Sequence, residues 1–132
     1  MGPFGFTPAA VGSQPSPGRP WQFVTPEIDF TAPAADVTFL VSGGRFYFYN
    51  FQVVTTAFTS QTIQPTVRAG ITGSPQKYKA NTLLTLLTAN YKREFFQNLL
   101  EDDGELSVVV GISTPGAGVN YKGKLIVTGF IV

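Results

Sequence analysis

RFYFYNFQVVTTAF, residues 45–58, decides how the rest of the chain is read. Aromatic and β-branched residues fill it, and such side chains suit a pleated, half-buried surface far better than a helix. Its first half is apolar on both faces. Strict alternation puts Tyr47, Tyr49, Phe51 and Val53 on one side and Phe46, Phe48 and Val54 on the other. One side is expected in the core, and the other against the folded N-terminal arm or a neighbouring subunit. Phe46, Tyr47, Phe48, Tyr49 and Phe51 are therefore read as core or subunit contact.

Outward from this strand the same texture continues. Asp36 to Val41 (DVTFLV) reads as a strand closed by the turn Ser42-Gly43-Gly44, and Pro65 to Thr72 (PTVRAGIT) as another, closed at Gly73 to Pro75. Glu105 to Ser113 (ELSVVVGIS) and Tyr121 to Val132 (YKGKLIVTGFIV) are strands, separated by a loop at Pro115 to Gly118. Leu83 to Leu87 is short and ambiguous. Tyr91 to Leu100 fits both periods: Tyr91, Phe95, Phe96, Leu99 and Leu100 have helical spacing, while Tyr91, Arg93, Phe95 and Gln97 share one strand face. Its surroundings favour a strand. About eight strands between Gly, Pro and Asp turns predict an all-β fold, an antiparallel β-sandwich or jelly roll over residues 36–132.

Residues 1–35 read differently. They hold seven of the ten prolines, three charges (Arg19, Glu27, Asp29) and five large aromatics. Proline fixes φ and removes a donor, which forbids a regular helix or a central strand here. A solvated linker is rich in charge and poor in aromatics, and this segment is the reverse. It is expected to be an extended arm that lies on another surface through Phe4, Phe6, Trp21, Phe23 and Phe30.

Composition narrows the function classes. Nine basic and eight acidic side chains give a net charge of +1, no electrostatic footprint for nucleic acid. Charged residues are 13% of the chain, about half the usual share, which favours self-association or docking over a well-solvated monomer. There is no cysteine for a disulfide or thiol chemistry, and no histidine for a general base or metal ligand. No signal peptide or span of about 20 apolar residues is visible, so a soluble product of the cytoplasm with no membrane partner is expected.

The remaining chemical candidates reduce to structure. Glu101, Asp102, Asp103 and Glu105 form the one acidic cluster, but their spacing matches no calcium loop, and Asp-Asp-Gly reads as a hairpin turn. Lys77, Lys79, Lys92 and Arg93 interleave with Tyr78 and Tyr91; with net charge near zero they read as a solvated strand edge, where lysine blocks unwanted pairing. Trp21 between Pro20 and Phe23 could stack on a sugar or anchor the arm in a pocket, and the anchor is the better reading. No catalytic residue, cofactor or metal site is expected.

VVTTAFTSQT, QPTVRAGITG, KREFF, the DDGE turn, SVVVGISTPGAG and KGKLIVTGFIV, in that order, resemble small β-sandwich structural proteins of tailed bacteriophages. The kin are capsid decoration, or cement, proteins and related jelly-roll virion components, and the likeness covers roughly residues 36 to 132. It implies a subunit on the outer capsid surface of a virion. Such a subunit would self-associate as a dimer or trimer and reach the major capsid protein with its arm. Tail, baseplate and fibre components share the texture, and a carbohydrate-binding sandwich using Trp21 or Tyr47 and Tyr49 is the alternative of another class.

Overall fold

The computed structural model describes residues 19–85, 93–97 and 104–132. Eleven strands run through them: β1 (Arg19–Val24), β2 (Ile28–Asp29), β3 (Ala35–Leu40), β4 (Phe46–Ala57), β5 (Ser60–Ile63), β6 (Thr66–Ile71), β7 (Ser74–Leu83), β8 (Arg93–Gln97), β9 (Ser107–Thr114), β10 (Ala117–Val119) and β11 (Lys122–Ile131). One sheet has the order β1-β11-β4-β8, with β2 continuing along β11, and the other β3-β9-β6-β7; β5 and β10 form a small ribbon. Set the short β2, β5 and β10 aside and number the other eight along the chain. The sheets then read 1-8-3-6 and 2-7-4-5, the double Greek key of an antiparallel jelly roll.

The inner faces meet through aromatic rings. Tyr78 of β7 stacks on Phe48 of β4, with centroids 4.5 Å apart and planes 7° from parallel. Phe23 of β1 reaches Phe39 of β3 at 5.2 Å and meets Phe46 edge-on at 5.1 Å. Alternate residues Val67, Ala69, Val108, Val110, Ile112, Leu125 and Val127 fill the space between.

The core begins earlier than residue 36, which corrects the expected boundary. Residues 19–29 run along β11 as an edge strand, from Arg19 opposite Ile131 to Asp29 opposite Lys122. Proline does not prevent this. The Thr25 N–H donates to the Leu125 carbonyl at 3.0 Å, so by antiparallel alternation Pro20 lies where an N–H would point away from β11. Residues 1–18, which include Phe4 and Phe6, lie outside the described residues.

Strand β4 departs from strict alternation. Thr128 of β11 pairs with Asn50 and Gly129 with Phe48, leaving Tyr49 as the extra residue of a β-bulge. One inserted residue shifts the phase. Phe46 and Phe48 before it and Phe51 and Val53 after it all face the core, while Tyr47 and Tyr49 take the other side. The expected division of faces is thereby corrected. An apolar run with no simple period serves one buried face through a slip. The ambiguous segment Tyr91 to Leu100 is a strand over Arg93–Gln97, its remainder lying outside the described residues.

Candidate interaction surface

The residues expected to make contacts divide between core and surface. Phe30, Phe46 and Phe51 are fully buried, and Phe23 and Phe48 nearly so. Phe30 is fixed from three sides: its N–H donates to the Tyr121 carbonyl at 2.9 Å, its carbonyl accepts from Gly116 at 2.7 Å, and its ring meets Tyr121 edge-on at 5.1 Å. It packs over Gly123, where any Cβ would run into that ring and the Val54 carbonyl. Phe23 and Phe30 therefore act inside the subunit, not as anchors on a partner.

The outer face of the first sheet is made by alternate residues of three strands. β1 contributes Pro20, Gln22 and Val24, β11 contributes Lys122, Lys124, Ile126, Thr128 and Phe130, and β4 contributes Tyr47 and Tyr49. Phe130 lies opposite Tyr47 in the ladder, and its ring meets Tyr49 edge-on at 6.2 Å. Tyr49 and Phe130 remain 42% and 41% exposed, so each buries one side and offers the other. Val24 is also exposed. Sequence reading found Tyr47 and Tyr49 but missed Phe130. Its signal was the alternation of β11, in which Val127, Gly129 and Ile131 point inward and Phe130 cannot.

Trp21 sits at the rim. It shares the inward phase of Phe23 but lies nearer the strand end, 44% exposed, its ring 6.4 Å from Phe23 and 5.8 Å from the Arg19 guanidinium. With Pro20, Gln22 and Thr128 it lines a shallow, open hollow at the sheet edge. The far end of the same face is polar. Lys122 and Lys124 stand there, and Arg93 donates to Gln52 at 2.7 Å. Asp29 lies opposite Lys122, so this end carries charges of both signs, while the other end is aromatic.

The titratable groups serve the fold. Lys77 pairs with Glu105, and Arg45 donates to the Gly104 carbonyl at 2.9 Å, which ties down the end of the acidic segment; Glu101, Asp102 and Asp103 lie outside the described residues. Lys77 and Lys79 lie on β7, an edge strand, as their sequence context suggested. Burial, with the negative charge of Glu94 second, pushes the Tyr121 phenol up to about 12, and its hydroxyl donates to Gln64 at 2.6 Å. The Thr31 hydroxyl and backbone N–H hold Asp29 below its usual range. No protein-family model, curated protein or solved structure matches this chain.

Proposed function

We propose that this chain is a virion structural protein of a tailed bacteriophage, a capsid decoration subunit with no enzymatic role. It would stabilise the shell by bridging neighbouring copies of the major capsid protein. The observation that carries this reading is the exposed aromatic pair Tyr49 and Phe130, beside the half-buried Tyr47 and with Trp21 at the rim, on a chain whose charged residues are only 13%. The sequence before it, residues 1–18, adds Phe4, Phe6 and four prolines without one charged side chain. In sequence, then, further apolar residues precede the strand that borders this face. Burying a large aromatic side chain is worth about 1.5–3 kcal/mol, so a few such contacts repeated over a lattice would hold the subunit to the shell.

The test is particle composition. Particles purified on a density gradient from the source of this gene are expected to contain the chain at a fixed copy ratio to their most abundant protein. Absence from intact particles would overturn the reading. Gold-labelled antibody separates shell from tail, baseplate or fibre, the second location this reading admits. The half-exposed Tyr49 and Phe130 rings also favour one reading of another class, a carbohydrate-binding sandwich. Glycan-array binding by the full chain that is lost in Tyr49→Ser would move the function there.

A further inference from the structure

The two sheets end laterally in four strands, β1 and β8 of one, β3 and β7 of the other. An open edge invites pairing with another chain, and native proteins blunt edges with proline, lysine or an inward-pointing charge. Three edges here carry such a guard. β1 has Pro20 at an outward backbone position, and β7 has Pro75, Lys77 and Lys79. β8 has Arg93 and the inward, 7% exposed Glu94.

β3 has none. Its sequence, ADVTFL, contains one charge, Asp36, and that charge is drawn away from the edge. Asp36 and Arg68 both pair with Gly111 of the intervening β9. With no side chain at Gly111 to separate them, Arg68 reaches across and grips Asp36 through Nη2 at 2.7 Å and Nε at 3.2 Å. The edge left behind is neutral. Val41 donates to the Leu106 carbonyl at 2.9 Å, so alternation turns the N–H and C=O of Asp36, Thr38 and Leu40 off the sheet. Among the described residues β3 pairs with β9 alone, and Leu40 is 81% exposed.

We propose that β3 is a self-association edge, on which a second copy of this chain pairs its own β3 antiparallel across a two-fold axis. The inference deepens the self-association expected from the chain's low charge and does not depend on the capsid reading. Self-pairing is favoured by the strand itself. An axis through Thr38 sets Thr38 against the partner's Thr38, Asp36 against the partner's Leu40 and Val37 against the partner's Phe39. Every outward backbone group of Asp36, Thr38 and Leu40 is then satisfied, and no like charges meet. Val37 and Phe39, only partly buried in one copy, cover each other on the core side. Two four-stranded sheets become one of eight, and the isologous contact closes at two subunits.

The experiment is the solution mass of the full chain over a concentration series, by sedimentation or light scattering. Wild type is expected to be a concentration-dependent dimer. Thr38→Pro removes an N–H that β9 does not use, and Thr38→Lys sets two ammonium groups face to face on the axis. Both variants are expected to raise the dimer dissociation constant at least tenfold with far-ultraviolet circular dichroism unchanged. Ala80→Lys on the guarded β7 edge leaves the dimer intact. A monomer at every concentration, a trimer, or a dimer indifferent to Thr38→Lys overturns the proposal. Dissociation by Tyr49→Ser in place of the Thr38 variants would move the contact to the aromatic face. Any of these results leaves the capsid reading to be judged by particle composition alone.

Discussion

Thr25 and Leu125, a hundred residues apart, are hydrogen-bonded twice: the Thr25 N–H donates to the Leu125 carbonyl, and the Leu125 N–H donates to the Thr25 hydroxyl, each at 3.0 Å. The hydroxyl acts where the chain turns at Pro26, between β1 and β2, and both residues are buried. Thr25→Val keeps the shape and deletes the acceptor. A buried N–H without a partner costs about 1–3 kcal/mol. The urea midpoint is expected to fall accordingly with an unchanged slope; an unchanged midpoint would mean that Leu125 finds another acceptor.

The same strand fixes where the domain can be cut. A chain starting at Asp36 lacks β1, β2 and the rings of Phe23 and Phe30, which exposes the edge of β11 and uncovers Phe46 and Tyr121. Losing a buried phenylalanine costs about 3–5 kcal/mol, and two such losses approach the total stability of a small domain. The 36–132 fragment is expected to lack cooperative thermal unfolding, whereas a chain starting at Arg19 keeps it. A cooperative transition in 36–132 would refute this.

Tyr121 supplies a pH dependence. Its folded-state value near 12 lies above the ordinary value of 10, so the folded chain holds the phenolic proton more tightly than the unfolded chain. That stability is complete below pH 10 and is lost as pH rises from about 10 to about 12. Absorbance titration at a tyrosinate wavelength is expected to show a late step that Tyr121→Phe removes. A titration curve identical in the variant would place the late proton elsewhere.

Exposure separates binding from folding on the outer face. Tyr49→Ser and Phe130→Ser replace rings that are more than two-fifths exposed, and each is expected to change stability by less than about 1 kcal/mol. The pair together is expected to weaken particle binding at least tenfold. Full binding by the double variant, with wild-type stability, would remove the aromatic end from the interface.

Strands with a clean period were legible: Asp36 to Val41, Pro65 to Thr72, Glu105 to Ser113 and Tyr121 to Val132 each lie within two residues of β3, β6, β9 and β11. β1 was hidden because Pro20 forbids only a central strand, and edge position belongs to the whole sheet. β7 was hidden because Ser74–Leu83, an edge strand with Pro75 and two lysines, has little apolar alternation. The faces of β4 were misassigned because the bulge at Tyr49 exists only through pairing with β11. The surface suffered most. Whether an aromatic points in or out depends on that register, and Phe130 became visible once β11 was flanked by β1 and β4.

Because β11 lies between β1 and β4, neither early strand can complete its ladder until Lys122–Ile131 has been synthesised. At about 5–20 residues per second, the hundred residues that separate Thr25 from Leu125 take about 5–20 s to translate. Through that interval β1, with Trp21 and Phe23, lacks its strand partner, whereas β4 can already pair with β8, so β11 joins β1 to a ladder that has begun to form. The first sheet is therefore completed only after β11 is made, and slow codons ahead of β11 are expected to prolong the period in which Trp21 and Phe23 are open to chaperones.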